Sequence, residues 1–211
     1  MRADTPLDQL ERVGRAHLDR NVAAMRTECT KFALGKTLQQ CMSQMNAHEP
    51  AESTPDAARR QLTGLRWFLV DKNIVSIPSS EEVKIGESPP DMRWNFAYIS
   101  IPGPYEKNMP STFGHVFVGY AFAEGWAHYT EAMMWDAGLG DGDPKTHIGQ
   151  LSNALLRNVR FLAAIGLHTE GMTIAQVERL FFEDGYQDMA TAKQQAARVT
   201  FDPEYLDYTV G

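Results

Sequence analysis

The sequence is poor in cysteine. Among its 211 residues there are two cysteines, Cys29 and Cys41, and they form no CxxC pair, so a cysteine-ligated zinc site is not expected. If one continuous helix carried both cysteines, they would lie about 18 Å apart, which is too far for a disulfide. We therefore expect two free thiols and a reducing compartment.

The sequence also lacks a long apolar run and an excess of basic residues. Although 43% of the residues are hydrophobic, no run of about 18 apolar residues predicts a membrane span. Residues 1–18 contain no apolar segment typical of a signal peptide, which predicts a cytoplasmic protein. The 20 Lys and Arg residues are outnumbered by 27 Asp and Glu residues, which gives a net charge of −7 and argues against nucleic acid and anionic membranes as partners.

What the sequence does have is a succession of helix signals. Capping residues and apolar spacing predict helices that begin near Thr5, Thr54, Asp143, Thr173 and Asp188, and further helices over 34–45 and 112–137. A proline-rich stretch interrupts them, with β-prone pieces at 74–77, 82–85 and 96–101. Residues 201–211 are expected to be extended or turn-rich. The prediction is a mainly α fold with a small irregular β element near residues 74–101.

The most informative helix carries Glu124, His128 and Glu131. At about 100° per residue, these three side chains share one stripe. Carboxylate and imidazole groups are suitable ligands for zinc or another divalent metal, and they also suit general acid–base catalysis. The alternative is a polar face in solvent. Apolar residues nearly all round this helix argue instead for a buried helix, in which such groups need partners.

A second polar stripe lies on the next predicted helix, where Arg157, Arg160 and His168 share one face. The two arginines could clamp the carboxylate of a substrate, or they could form a structural salt-bridge network with the carboxylates of the preceding helix. In the tail, Tyr208 could donate a hydrogen bond to an oxyanion or pack on the helices. His147 is interpreted as an ordinary surface histidine.

Four motifs in this order carry a family resemblance: Glu-Gly-Trp-Ala-His-Tyr-Thr-Glu at 124–131, Leu-Leu-Arg-Asn-Val-Arg at 155–160, Gly-Leu-His-Thr-Glu-Gly-Met-Thr at 166–173 and Asp-Pro-Glu-Tyr-Leu-Asp-Tyr-Thr-Val-Gly at 202–211. The sequence resembles the bacterial domain-of-unknown-function family DUF885, a helical, zincin-like group related to the thermostable carboxypeptidases. The resemblance implies a helical zincin-like bundle with metallopeptidase activity.

The resemblance also implies roles for individual residues. It implies a divalent metal, zinc first of all, with Glu124 as a ligand, and His128 and Glu131 are the neighbouring candidates. It places His168 near the metal and the substrate, so His168 and Tyr208 are the candidate catalytic residues. Arg157 and Arg160 would line the substrate cleft. The family's upstream HExxPGH motif, which would supply further metal ligands and the general base, is absent from this sequence.

Two functional hypotheses follow. The first is a zinc-dependent metallopeptidase that hydrolyses peptide bonds, impaired or inactive in this shortened chain. The second is a non-catalytic helical binding or assembly module derived from the same fold, with no cofactor. In either case residues 1–211 are expected to form one partial helical domain. The expected partner is a peptide or a small carboxylate-bearing molecule, and a homodimer is a further expectation.

Overall fold

The computed structural model describes residues 5–47, 51–77, 84–86, 98–100 and 120–210. In the described residues the fold is mainly helical, as the sequence predicts. The longer helices are α1 (Leu7–Phe32), α2 (Leu38–Asn46), α3 (Thr54–Asp71), α4 (Tyr120–Asp136), α5 (Pro144–Thr169), α6 (Ile174–Glu183) and α7 (Met189–Val199). Two short strands, β1 (Lys84–Gly86) and β2 (Tyr98–Ser100), follow α3, and the chain ends with a 3-10 helix (Pro203–Leu206) and the short helix α8 (Asp207–Val210).

The contacts divide the chain into two compact units. One comprises Met1–His48 and Gly119–Gly211, and the other comprises Glu49–Val118. The expectation of one partial domain over residues 1–211 stays a prediction.

Helix α5 is the centre of the first unit. Its residues from Asn158 to Gly166 are all buried, and α1 packs along it. Gly14 on α1 permits this close approach, because a Cβ atom at that position would lie 2.5 Å from the ring of Phe161. Helices α6 and α7 cover α5 with the buried side chains of Val177, Phe181, Ala192, Ala196 and Val199.

Side-chain caps fix where several of these helices begin. The Asp143, Thr173 and Asp188 side chains accept hydrogen bonds from backbone amides in the first turn of α5, α6 and α7, as expected from the sequence. Helix α3 is capped by Ser53, one residue before the expected Thr54.

The expectation of two free thiols is wrong. Cys29 and Cys41 form a disulfide, with their Cα atoms 5.9 Å apart. The estimate of about 18 Å assumed one continuous helix. Instead α1 ends at Phe32, the chain turns at Gly35 with a positive φ of 78°, and α2 runs back beside α1. Both cysteines are buried at this corner.

The second unit contains α3 and the two strands. Strands β1 and β2 pair antiparallel, with Ile85 opposite Ile99. Arg59 on α3 donates a hydrogen bond from Nη2 to the carbonyl oxygen of Ile85 at 2.8 Å, which ties the helix to the strand pair. The strands at 84–86 and 98–100 confirm strand structure in the predicted pieces 82–85 and 96–101, whose other residues lie outside the described ranges, whereas residues 74–77 form no strand.

Three further expectations need correction. The tail, expected to be extended or turn-rich, is helical over residues 203–210, which form the 3-10 helix and α8. Helix α4 is not buried all round: Phe122, Trp126 and Tyr129 form an exposed ladder of aromatic rings on one side of it. His147 is not an ordinary surface histidine, because its ring stacks on Trp135 at 4.0 Å between centroids. The first part of the helix expected over 112–137 lies outside the described residues.

Candidate functional site

The core of the candidate site is an ion pair between α4 and α5. Arg157 donates two parallel hydrogen bonds to Glu131, from Nη1 to Oε2 at 2.6 Å and from Nη2 to Oε1 at 2.8 Å. Its Nη1 also lies 3.1 Å from Nδ1 of His128. Since a guanidinium only donates, Nδ1 of His128 accepts this bond and the imidazole carries its proton on Nε2. The expected salt-bridge network between the two helices is therefore present.

The protonation of His128 follows from this environment. Burial lowers the pKa of His128, and the neighbouring Arg157 lowers it further, while Glu131 acts in the opposite direction. The net effect is a pKa below the usual value, so the ring is neutral at pH 7. A neutral ring fits the hydrogen bond that Nδ1 accepts.

The second arginine of α5, Arg160, has different surroundings. It is 8% exposed, and its Nε donates to Oε1 of Gln195 on α7 at 2.9 Å. The ring of Tyr205 lies 4.7 Å from its Cζ atom, and the ring of Tyr208 lies 5.9 Å away. These are cation–π distances, so the two aromatic faces partly replace the water that the guanidinium loses. Burial lowers the pKa of Arg160, against a smaller opposing effect of Tyr205.

A third arginine completes the cluster from the outside. Arg198 at the end of α7 pairs with Asp202, with Nη2 2.9 Å from Oδ2, and its Cζ atom lies 5.0 Å from the ring of Tyr205. The hydroxyl of Tyr205 donates to Oε1 of Gln195 at 3.1 Å. We call Arg157, Arg160, Arg198, Tyr205 and Tyr208 the arginine–tyrosine cluster.

Glu124 and Tyr208 connect the other end of α4 to this cluster. Burial raises the pKa of Tyr208, and the hydrogen bond that its hydroxyl donates to Glu124 raises it further. The ring of Tyr208 also lies 5.0 Å from Cζ of Arg157. The tail thus brings Tyr208 to the predicted site, where its ring packs on the helices as one interpretation expected. Its catalytic role as a donor to an oxyanion stays a prediction.

The three predicted metal ligands of α4 do not share one position in space. Glu124 and Glu131 are seven residues apart on the helix, which is about 10 Å along its axis, whereas zinc ligands lie about 2 Å from the ion. Both carboxylate oxygens of Glu131 accept from Arg157, so a cation there would face a guanidinium. Within the described ranges, no three His, Cys, Asp or Glu side chains are grouped to hold a metal ion. The three residues do not fit a shared divalent ion, and the zinc site stays a prediction.

His168 lies apart from the other predicted site residues. It is eleven residues beyond Arg157 on α5, about 16 Å along the helix axis. Its Nε2 donates to the backbone carbonyl of Val199 at 2.8 Å and so ties the end of α5 to the end of α7. In the structure His168 joins two helices, and its catalytic role stays a prediction.

Sequence reasoning missed Gln195, the buried residue that joins Arg160 to Tyr205. It lies among the apolar positions Ala192, Ala196 and Val199, and a glutamine in an apolar stripe is a signal that could have found it. A buried amide needs partners, and here the partners are an arginine and a tyrosine.

Comparison with known proteins identifies the family. The family model described as "Bacterial protein of unknown function (DUF885)" matches residues 105–211, just over half of the chain. The chain belongs to the DUF885 family. The matched region contains α4 to α8 and therefore the whole arginine–tyrosine cluster. No curated protein matches this chain.

Two solved structures are similar to this DUF885 protein, both described as putative lipoproteins. The one from Shewanella oneidensis has a TM-score of 0.77 at 20% identity. The superposition covers 99% of this chain and 49% of the Shewanella chain. The one from Colwellia psychrerythraea has a TM-score of 0.72 at 17% identity. The superposition covers 99% of this chain and 45% of the Colwellia chain. The chain spans about half the length of these proteins, and at such identities the likeness shows a shared fold. In the described residues of the chain, no helix is long and apolar enough to cross a membrane.

Proposed function

We propose that this DUF885 chain is a binding domain for peptides, built on a metallopeptidase-like fold. One observation carries the proposal: α5, α7 and the tail converge to place three arginines and two tyrosines side by side. Such a cluster suits peptides, because guanidinium groups bind carboxylates and the half-buried ring of Tyr208 can pack on backbone and side chains at little entropic cost. Substrate binding by Arg157 and Arg160 is part of this proposal.

Titration of the chain with N-acetylated tripeptides, followed by calorimetry, tests the proposal. We expect saturable binding that weakens at least tenfold in Tyr208→Ala, because Tyr208 contacts both Arg157 and Arg160. Phe201→Ala is the matched control: it also removes a tail aromatic, but Phe201 is 74% exposed. Equal loss in both variants, or no binding by the wild type, would contradict the proposal.

A metallopeptidase is the second candidate, and Glu124 is the observation that favours it. In the described part of the chain Glu124 is in no ion pair, and its partner is the neutral hydroxyl of Tyr208, so its charge is available for a cation. The resemblance assigns a metal ligand to this position. When bound, a divalent metal would supply a Lewis acid and an activated water.

Metal analysis separates the two candidates. Stoichiometric zinc, manganese or cobalt in protein purified without chelator, lost in Glu124→Ala, would support the metallopeptidase. His128→Ala tests the ligand set: loss of metal in this variant too would assign His128 to the site, whereas unchanged binding would remove it. Metal-free protein that still binds tripeptides would support the binding domain alone.

We further propose that the chain works in an oxidising compartment, in place of the cytoplasmic location expected from the sequence. The disulfide between Cys29 and Cys41 supports this, since such bonds persist outside the reducing cytosol. The description of both similar structures as lipoproteins points the same way. Fractionation of cells that produce the native protein, with thiol alkylation before lysis, tests it: a cytosolic protein with two alkylated cysteines would contradict the proposal.

A further inference from the structure

An unpartnered amide group lies buried between α1 and α5. Asn158 on α5 is fully buried, and its Oδ1 accepts a hydrogen bond from Nδ2 of Asn21 on α1 at 2.7 Å. Nδ2 of Asn158 is buried as well, but it has no hydrogen-bond partner within the described residues. Because a buried donor without an acceptor destabilises a fold, such a group is typical of a place where a bound molecule or ion supplies the acceptor.

A second free donor comes from α4. Arg157, the residue before Asn158, lies with Nη1 3.1 Å from Nδ1 of His128, which leaves the proton of that imidazole on Nε2. Among the described residues no group accepts a hydrogen bond from Nε2 of His128. His128 therefore has one donor to offer to a ligand.

The third group is Arg20 on α1, the neighbour of Asn21 in the chain. Its side chain is exposed, and in the described part of the chain it is in no ion pair. Arg12 and Arg15 of the same helix, in contrast, each pair with a carboxylate one turn away. Arg20 therefore leaves a positive charge without a counter-ion beside the buried amide pair.

These three groups lie close together. Helices α1 and α4 both pack on α5, and hydrogen bonds of 2.7 Å and 3.1 Å join α5 to each of them. Burial and then Arg157 lower the pKa of His128, and His17 and Arg20 of α1 lower it as well. Arg20 thus lies within electrostatic reach of His128, with Asn158 on the helix that both α1 and α4 contact.

The chemistry of these groups points to an anion. An amide N–H, an imidazole N–H and a guanidinium all donate, and the guanidinium is also a cation. The carboxylate of Glu131 opposes an anion little, because both of its oxygens already accept from Arg157. The donors come from three helices and approach from three directions, which suits the oxygens of a tetrahedral oxyanion better than the two coplanar oxygens of a carboxylate.

We propose that α1, α4 and α5 together bind one phosphate-type oxyanion, held by Nδ2 of Asn158, Nε2 of His128 and the guanidinium of Arg20. The ligand is inorganic phosphate or the phosphate group of a small monoester, since both present the same tetrahedral oxygens. None of the three groups belongs to the arginine–tyrosine cluster. The inference therefore goes beyond the proposed peptide binding and does not depend on it.

Titration with sodium phosphate tests the site, with chloride used to keep the ionic strength constant. Calorimetry measures the affinity, and NMR follows the side-chain amide resonances of Asn158. We expect saturable binding that shifts these resonances, and about tenfold weaker binding of acetate at the same ionic strength. Methyl phosphate separates the two sources of the ligand: tighter binding than phosphate assigns the site to a monoester, and weaker binding assigns it to the free ion.

A pair of arginine variants separates the site from general electrostatics. Arg20→Gln and Arg26→Gln each remove one exposed positive charge of α1 that is in no ion pair among the described residues. Arg26 lies six residues further along the helix, about 120° around its axis from Arg20. We expect the phosphate affinity to fall about tenfold in Arg20→Gln and to stay within about twofold in Arg26→Gln.

The variant Asn158→Leu tests the buried donor. Leucine has a similar volume but cannot donate, so the phosphate affinity should fall about tenfold. A circular dichroism spectrum and a melting temperature check that this variant folds. If it does not fold, Arg20→Gln still decides the test, because Arg20 is exposed.

Several results would overturn the proposal. They are the absence of saturable phosphate binding, acetate binding as tight as that of phosphate, unshifted amide resonances of Asn158, and an equal loss of affinity in Arg20→Gln and Arg26→Gln. Displacement of phosphate by a saturating N-acetylated tripeptide would place the anion in the arginine–tyrosine cluster and would overturn it too. Phosphate binding that persists with the tripeptide bound would support a separate site.

Discussion

Two buried charges in this protein have opposite surroundings. Glu28 on α1 is 5% exposed and has two nitrogen neighbours: the ammonium Nζ of Lys31 at 2.8 Å and the imidazole Nδ1 of His147 at 3.2 Å. Arg160 on α5 is 8% exposed and, among the described residues, is in no ion pair. Both lie in the same compact unit and both belong to buried faces of long helices.

The difference teaches how to separate structural charges from candidate functional ones. At Glu28 the protein supplies all the partners, and the disulfide between Cys29 and Cys41 closes the chain next to it. At Arg160 the protein supplies rings and an amide but no described carboxylate. A charge whose partners are all internal stabilises the fold, whereas one without a counter-ion destabilises it unless a ligand binds.

The largest effect is expected at the Glu28 region. Reduction of the Cys29–Cys41 bond, or replacement of both residues by serine, should lower the free energy of unfolding by about 3 kcal/mol, because the bond closes a loop of about twelve residues in the unfolded chain. Urea denaturation with and without reductant measures this. The double-serine variant is the control, since reductant should leave it unchanged. If reductant lowered the free energy of unfolding of the double-serine variant by the same amount, the effect would come from the reductant and not from the disulfide.

The next effect concerns Glu28 itself. Glu28→Gln should lower the free energy of unfolding by about 2 kcal/mol at pH 7, since the charge that holds Lys31 and His147 is lost. Burial raises the pKa of Glu28, but the hydrogen bonds from Lys31 and His147 outweigh it and the net pKa is lowered from 4.5. A lowered pKa gives stability that is present above pH 4.5 and is lost as the pH falls below it.

Denaturation at several pH values therefore gives the sharper test of Glu28. The difference between wild type and Glu28→Gln should shrink as the pH falls below 4.5. Glu11→Gln on the same helix is the control, because the ion pair of Glu11 with the exposed Arg15 is longer, at 3.8 Å. If the difference stays constant with pH, the buried carboxylate does not act through its charge.

A third, smaller effect is expected inside the arginine–tyrosine cluster. Glu131→Gln should lower the free energy of unfolding by about 1.5 kcal/mol, because Arg157 would keep its charge in a half-buried position without a carboxylate. The double variant Glu131→Gln with Arg157→Met should recover part of this loss. If the two single effects simply add, the bidentate pair contributes nothing as a pair.

The sequence predicted the helices well because their signals are local. The caps at Asp143, Thr173 and Asp188 and the apolar spacing of α5 depend on neighbours within one or two turns. Separate helices were predicted on either side of the corner between α1 and α2, but the contact between Cys29 and Cys41 was missed, because the turn at Gly35 decides whether they lie far apart or together. The turn at this one glycine sets the relative position of the two helices, and the apolar periodicity within each helix does not predict it.

The site was predicted only in part, and helix geometry explains which part. A view down the helix axis places residues on a common face but ignores the rise of about 1.5 Å per residue. It therefore grouped His168 with Arg157, although three helical turns separate them. It also grouped Glu131 with Glu124, although two turns separate these. It correctly paired the faces of α4 and α5 that meet through Arg157 and Glu131. Gln195 comes from another helix, so no periodicity could associate it with Arg160.

The smallest expected effect has the opposite sign and decides the comparison. Arg160→Met should raise the free energy of unfolding by about 1 kcal/mol, because a buried charge without a carboxylate is replaced by an apolar side chain of similar length. Gln195 stays satisfied, since Tyr205 still donates to its Oε1. Urea denaturation of Arg160→Met and Glu28→Gln under the same conditions measures the gain in the free energy of unfolding expected for the first and the loss expected for the second. Destabilisation of Arg160→Met by as much as Glu28→Gln would mean that the described cluster already satisfies this arginine, and Arg160 would then be a structural charge like Glu28.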